Sequence, residues 1–144
     1  MVTSFQVVFD CADPDRVMRF WSGTLHYPVP EPPEGAPSWE AWLTEHGVPE
    51  ETWNDSRALE DPEGRGPRLF FQRVPEPKAA KNRLHLDVDV AGRPARPVDQ
   101  RRPLVDAEAD RLIGLGATRL DAQDKGDEYW VVMQDPEGNE FCLA

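Results

Sequence analysis

Two side chains in the second half of the sequence, His85 and Cys142, have the chemistry to bind or transform a small molecule. An imidazole can act near neutral pH as a general base, a metal ligand or a hydrogen-bonding group. The alternative for His85 is a histidine that hydrogen-bonds within a sheet and takes no part in chemistry. A thiol can act as a nucleophile or a soft metal ligand, although an isolated cysteine such as Cys142 more often serves as a small buried hydrophobic group.

Two carboxylates flank these residues at a spacing that matters in a β-strand. Asp87 follows His85 by two positions and Glu140 precedes Cys142 by two, so each pair shares a strand face at a separation of about 6.6 Å. Glu140 is a candidate general base, with a solvated carboxylate as the alternative. The sequence has no Ser-His-Asp order, phosphate-binding loop or dinucleotide fingerprint.

The strands that carry these residues are predicted from alternation. Residues 83–90 (RLHLDVDV) place Leu84, Leu86, Val88 and Val90 on one face and Arg83, His85, Asp87 and Asp89 on the other. Residues 128–134 and 140–143 are predicted strands, and Trp130 shares a face with Val132 and Gln134, where it either lines a cavity or fills a core. Arg83 is predicted either to orient a carboxylate ligand or to cap the sheet edge.

An internal repeat organises the chain. Asp-Pro-Glu-Gly occurs at 61–64 and again at 135–138, an offset of 135 − 61 = 74, and each copy lies between two predicted strands. Each copy also follows a strand and a helix. The helices are predicted from Asp13 as N-cap onwards and at about 103–115, and the first strands align with Gln6 opposite His85.

The motifs of this repeat resemble those of the vicinal oxygen chelate superfamily, which contains glyoxalase I, extradiol dioxygenases and bleomycin-resistance proteins. The resemblance rests on residues 74–88 (VPEPKAAKNRLHLDV), residues 135–143 (DPEGNEFCL) and Phe20-Trp21. It implies one α+β domain over 1–144, in which two tandem βαβββ modules form a curved half-barrel sheet. The modules are expected at 4–75, with a Pro-rich insertion at about 28–60, and at 76–144.

The resemblance also implies a site on the concave sheet face. The superfamily's metal-binding positions correspond to Gln6, Gln72, His85 and Cys142, and the last of these is usually a glutamate. One imidazole, two neutral amides and a thiol form a poor set for Zn, Ni, Mn or Fe, so a divalent metal is possible but not favoured. The ligand-binding residues expected on this basis are Gln6, Gln72, Trp130, Cys142 and Arg83, with His85 and Glu140 as catalytic candidates.

The composition limits the kinds of partner and the cellular location that are expected. The 144 residues carry a net charge of −11, which disfavours nucleic acid and anionic membranes as partners. Two cysteines provide no disulfide framework, and no apolar run has the length of a leader or a membrane span, so a cytoplasmic protein is expected. The superfamily's frequent dimerisation suggests a homodimer.

Three functions follow as hypotheses. The first is a glyoxalase-like lyase or isomerase that abstracts a proton next to a carbonyl of a small oxygenated substrate. The second is a non-catalytic protein that binds a drug or metabolite, as bleomycin-resistance proteins do. The third is a scaffold without a small-molecule role.

The Pro-rich insertion contains three tryptophans, Trp39, Trp42 and Trp53. They are predicted to form either an aromatic lid or a local core, and a short helix is predicted near 38–43.

Overall fold

The computed structural model describes all residues, Met1–Ala144. They form two compact units, Met1–Pro77 and Lys78–Ala144, and the whole chain is a mixed α+β protein with two open sheets. No helix in either unit combines the length and the apolar character needed to cross a lipid bilayer.

The first unit contains a three-stranded sheet. Its elements are β1 (Gln6–Cys11), α1 (Pro14–Leu25), α2 (Trp39–Glu45), a 3₁₀ turn (Glu50–Thr52), β2 (Ser56–Leu59) and β3 (Arg68–Arg73). The sheet order is β1-β3-β2, with β1 parallel and β2 antiparallel to β3. This unit has three strands where a βαβββ module has four. The difference lies in the Pro-rich insertion, because prolines cannot donate to a sheet ladder.

Helix α1 forms where its caps and apolar spacing predict it. The Asp13 carboxylate accepts a hydrogen bond from the Arg16 N–H at 3.2 Å, and Pro14 occupies the first helical position. Val17, Phe20 and Trp21 are buried on one face. This face covers the sheet of the first unit and forms its core.

The second unit has the element order strand, helix, three strands that the resemblance predicts. Its elements are β4 (Asp87–Val88), α3 (Val98–Gly114), β5 (Thr118–Asp124), β6 (Tyr129–Gln134) and β7 (Glu140–Leu143). The sheet order is β4-β7-β6-β5, and only the β4–β7 pair is parallel. Helix α3 packs mainly on β6 and buries Val105, Ala109 and Leu112.

The predicted strand over 83–90 is wrong in its extent, because only Asp87–Val88 forms a ladder. Its partner β7 begins at Glu140, and the first backbone bond between them runs from the Cys142 N–H to the Leu86 carbonyl at 2.9 Å. The chain before Leu86 has no opposing strand, and Leu84 is accordingly 88% exposed. Leu86, Val88 and Val90 keep the predicted alternation and are half-buried.

Helix α3 begins five residues earlier than predicted, so Pro103 lies inside it. Two arginines stabilise the first turn of α3, before Pro103. The buried Arg101 guanidinium donates to the Arg96 and Asp127 carbonyls, and Arg102 forms a two-pronged ion pair with Asp124. These tertiary contacts offset the cost of having Pro103 inside the helix. The sequence pattern alone predicts that the helix starts at this proline.

The second Asp-Pro-Glu-Gly turn depends on a buried carboxylate. Asp135 is 2% exposed and accepts hydrogen bonds from the Glu137 and Asn139 N–H groups and from the Asn139 side-chain amide. We expect Asp135→Ala to lower the free energy of unfolding by about 1–3 kcal/mol, because it leaves three half-buried donors without their buried acceptor. Asp61→Ala, in the more exposed first copy of the turn, should cost less. Urea denaturation of both variants measures the difference, and equal losses would contradict it.

Candidate functional site

A pocket of about 440 Å³ opens on the sheet of the second unit. Its apolar floor includes Trp130 and Val132, and His85, Asp87 and Cys142 add polar groups. Lys81, Arg93, Glu128 and Glu140 supply charges around them. This volume lies within the range of small-molecule sites, which combine an apolar surface with a few converging polar groups.

Strand register explains why these side chains meet. Asp87 on β4 pairs with Cys142 on β7, and Cys142 pairs with Val132 on β6, so the three lie side by side across the sheet. Strand β6 alternates between buried and half-buried residues: Val131 points into the core, and Trp130 and Val132 face the pocket. The predicted shared face of Trp130 and Val132 is therefore a pocket face.

His85, Asp87 and Cys142 form a compact cluster within this pocket. Their nitrogen, oxygen and sulfur atoms all lie within 4.8 Å of one another, and His85 Nε2 is 3.4 Å from an Asp87 oxygen. The Asp87 carboxylate can therefore orient the imidazole, which remains exposed to a ligand. The sequence places Asp87 on the same strand face as His85, and the structure adds Asp87 to the cluster.

The Cys142 thiol is held in its protonated form. Burial, followed by the charge of Asp87 and its hydrogen bond with the thiol, raises the pKa of Cys142 to about 11. Because only a thiolate is an effective nucleophile, Cys142 is a poor nucleophile at neutral pH. In the protein without metal, it is a hydrogen-bonding and space-filling group of the pocket wall.

Glu140 is committed to a structural contact. Its carboxylate pairs with Lys78 Nζ at 3.1 Å and accepts the Asn82 N–H at 2.9 Å. Burial opposes ionisation of Glu140, but the Asn82 and Lys78 contacts outweigh it and hold its pKa below the usual value. A carboxylate with a lowered pKa is a weak base, so this geometry argues against Glu140 as the general base and indicates that it anchors the segment before His85.

The donor types of the cluster fit a zinc ion. His85, Asp87 and Cys142 would supply imidazole, carboxylate and thiolate, and a three-residue zinc site leaves a position open. To bind such an ion, Cys142 would have to lose its thiol proton. A bound ion would polarise an oxygen atom of the ligand.

The two predicted glutamine positions lie in the first unit, and each is already hydrogen-bonded there. Gln6 accepts from Arg68 and Gln72 donates to Asp10, both at 2.7 Å. The β1–β3 register pairs the same residues, which places the two glutamines four residues, or about 13 Å, apart along the strands. The structure thus brings His85 and Cys142 together but does not bring Gln6 next to Gln72.

Several charges at the pocket were not predicted. Arg83 is exposed and does not line the pocket, whereas Lys81 and Arg93 do. Lys125 Nζ lies 5.7 Å from the centre of the Trp130 ring, a cation–π distance. These residues lie in turns and linkers outside the periodic strands, so alternation in the sequence carried no signal for them.

A family model and several solved structures match this chain. The family model described as "Glyoxalase-like domain" matches residues 6–144. A glyoxalase/bleomycin resistance protein/dioxygenase family enzyme from Burkholderia phytofirmans PsJN has a similar structure, with a TM-score of 0.62 and 16% identity over 96% of this chain and 94% of its own. No curated protein sequence matches the chain.

Two further solved structures share the fold. The fosfomycin resistance protein FosX from Mesorhizobium loti has a TM-score of 0.60 and 12% identity, covering 99% of this chain and 91% of its own. The bleomycin-binding protein from Streptomyces verticillus, solved with copper(II)-bleomycin, has a TM-score of 0.53 and 13% identity over 100% and 96%. At these identities the similarity establishes the fold alone.

Proposed function

Because this chain belongs to the glyoxalase-like domain family, we propose that it binds a small oxygenated molecule in the pocket of its second unit without transforming it. The observation that carries the proposal is the placement of His85, Asp87 and Cys142 beside the half-buried Trp130. The aromatic ring offers a flat apolar surface, and the cluster offers hydrogen bonds to hydroxyl or carbonyl groups.

The protonation states of the pocket favour binding over catalysis. Proton abstraction next to a carbonyl needs a base whose pKa is close to the working pH. The pKa of Glu140 is lowered and that of Cys142 is raised, so neither meets this requirement. The bleomycin-binding protein provides a precedent within the fold for holding a drug.

A lyase or isomerase is the second candidate, and one observation favours it. His85 lines the pocket and has the Asp87 carboxylate 3.4 Å from Nε2, an arrangement that can orient an imidazole. In that case His85 is the base. The two candidates differ in whether the ligand leaves the pocket chemically changed.

A thermal-shift screen of small hydroxy and carbonyl compounds tests the site. At a hundredfold excess over Kd, a ligand should raise Tm by about 5–10 °C. His85→Ala should remove most of this shift. His46→Ala, which changes an exposed histidine of the first unit, should keep it. An unchanged shift in His85→Ala would remove His85 from the site, and the absence of any hit would support a scaffold role.

The same samples distinguish a binder from an enzyme. A bound compound should be recovered unchanged after prolonged incubation, with and without added zinc, as judged by NMR of the free ligand. Conversion in the wild type and its loss in His85→Ala would support the lyase or isomerase instead.

We also propose that the chain forms a homodimer. The exposed edge strand β5 supports this proposal, and sedimentation velocity would test it.

A further inference from the structure

Helix α2 presents an aromatic face that its own unit covers only in part. Trp39, Trp42 and His46 follow one another at spacings of three and four residues, and we call them the α2 aromatic face. No residue of α2 is buried, and the helix has no extensive packing contact with any strand or helix of the first unit. Helix α2 therefore contributes no residue to a buried core, and Trp53, the third tryptophan of the insertion, is half-buried.

The rings of this face are held in a defined arrangement. Trp39 and Trp42 meet edge to face with centroids 6.0 Å apart, and the His46 ring stacks on Trp42 at 3.9 Å. The Trp39 indole N–H donates to the Pro30 carbonyl, and His46 Nδ1 lies 2.7 Å from the Trp42 carbonyl oxygen. With these polar atoms engaged inside the segment, the surfaces left for a partner are those of Trp39, which is 39% exposed, and of His46, with the half-buried Trp42 between them.

The charge around this face has one sign. Between Arg19 and Arg57 the chain has no lysine or arginine, and six glutamates of the insertion surround α2 in sequence: Glu31, Glu34, Glu40, Glu45, Glu50 and Glu51. None of the six forms an ion pair, whereas the neighbouring Asp55 pairs with Arg73. The aromatic face thus lies in a segment rich in glutamates, of which Glu40 alone has a nearby cation, Arg57, too far away to form an ion pair.

We propose that the α2 aromatic face is a docking surface for an arginine- or lysine-rich segment of a partner protein. Guanidinium and ammonium groups interact favourably with the faces of tryptophan rings, and the unpaired glutamates attract the same groups. A second copy of this chain fits this face poorly, because it would bring its own net charge of −11 against these glutamates; the homodimer proposed above uses the edge strand β5 instead. None of the residues of the α2 aromatic face lines the pocket of the second unit.

A labelled, end-blocked twelve-residue peptide of alternating arginine and alanine tests the proposal by fluorescence anisotropy at about 50 mM salt. Saturable binding is expected, and it should weaken about tenfold in the Trp39→Ala/Trp42→Ala double variant. Ile113→Ala/Leu115→Ala removes two similarly exposed apolar side chains elsewhere and should leave the affinity unchanged. Because α2 is unburied, circular dichroism and Tm should show all variants folded.

Charge is tested separately. Glu40→Gln/Glu45→Gln and 0.5 M NaCl should each weaken binding, and a peptide with glutamate in place of arginine should not bind. Three results would overturn the proposal. They are no saturable binding by the wild type, equal affinity of the double tryptophan variant and the wild type, and a dimer that the double tryptophan variant dissociates, which would make the face a self-interface.

Discussion

Cys142 in metal-free protein should ionise with a midpoint near pH 11, about two units above an ordinary cysteine. Burial is the main cause, and the neighbouring Asp87 adds to it. At pH 8 the thiolate fraction is then about a hundredfold lower than for a thiol of pKa 9.0. The greater nucleophilicity of a more basic thiolate recovers about tenfold of this, so alkylation should be roughly tenfold slower.

The measurement is the rate of iodoacetamide modification against pH, after EDTA treatment and in a Cys11→Ala background so that Cys142 is the thiol observed. The rate should still be rising above pH 10. Asp87→Asn should lower the midpoint and speed the reaction at pH 8, because it removes a negative charge beside the thiolate. A midpoint between pH 8 and 9 in the unsubstituted pocket would show that Cys142 is a reactive cysteine.

Phe71→Ala should destabilise the first unit by about 3–5 kcal/mol. Phe71 is fully buried on the central strand β3 and stacks on Phe9 with ring centroids 5.1 Å apart. Truncation removes apolar contacts and leaves a cavity that the paired strands cannot close. Urea denaturation followed by circular dichroism should show a lower midpoint for this variant.

The matched control is the next residue. Phe70 points to the opposite face of β3, is only half-buried, and has the Arg68 guanidinium 5.4 Å from its ring centre. Phe70→Ala should therefore cost roughly 1 kcal/mol or less. If both substitutions cost the same, the assignment of the two faces of β3 would be wrong.

Local sequence patterns predicted several elements correctly. Caps and turns depend on residues close together in the chain, and the buried faces of helices and strands follow from the spacing of apolar residues. The Asp13–Pro14 cap and the buried Val17 face determine α1, and the alternation of residues 128–134 determines which side of β6 carries Trp130. The repeated Asp-Pro-Glu-Gly turns mark the ends of strands in both units. The α+β class and the family resemblance followed from these features.

The sequence by itself determined the strand–helix order of the second unit, the shared face of Trp130 and Val132, and the candidacy of His85 and Cys142. Tertiary structure decided the rest: the two-residue length of β4, the pairing of Asp87 with Cys142 and the ion pair between Glu140 and Lys78. The physical reason is that ladder length, ion pairing and pKa depend on which distant backbone and charge come within a few ångströms. Periodicity along one strand contains no information about that partner.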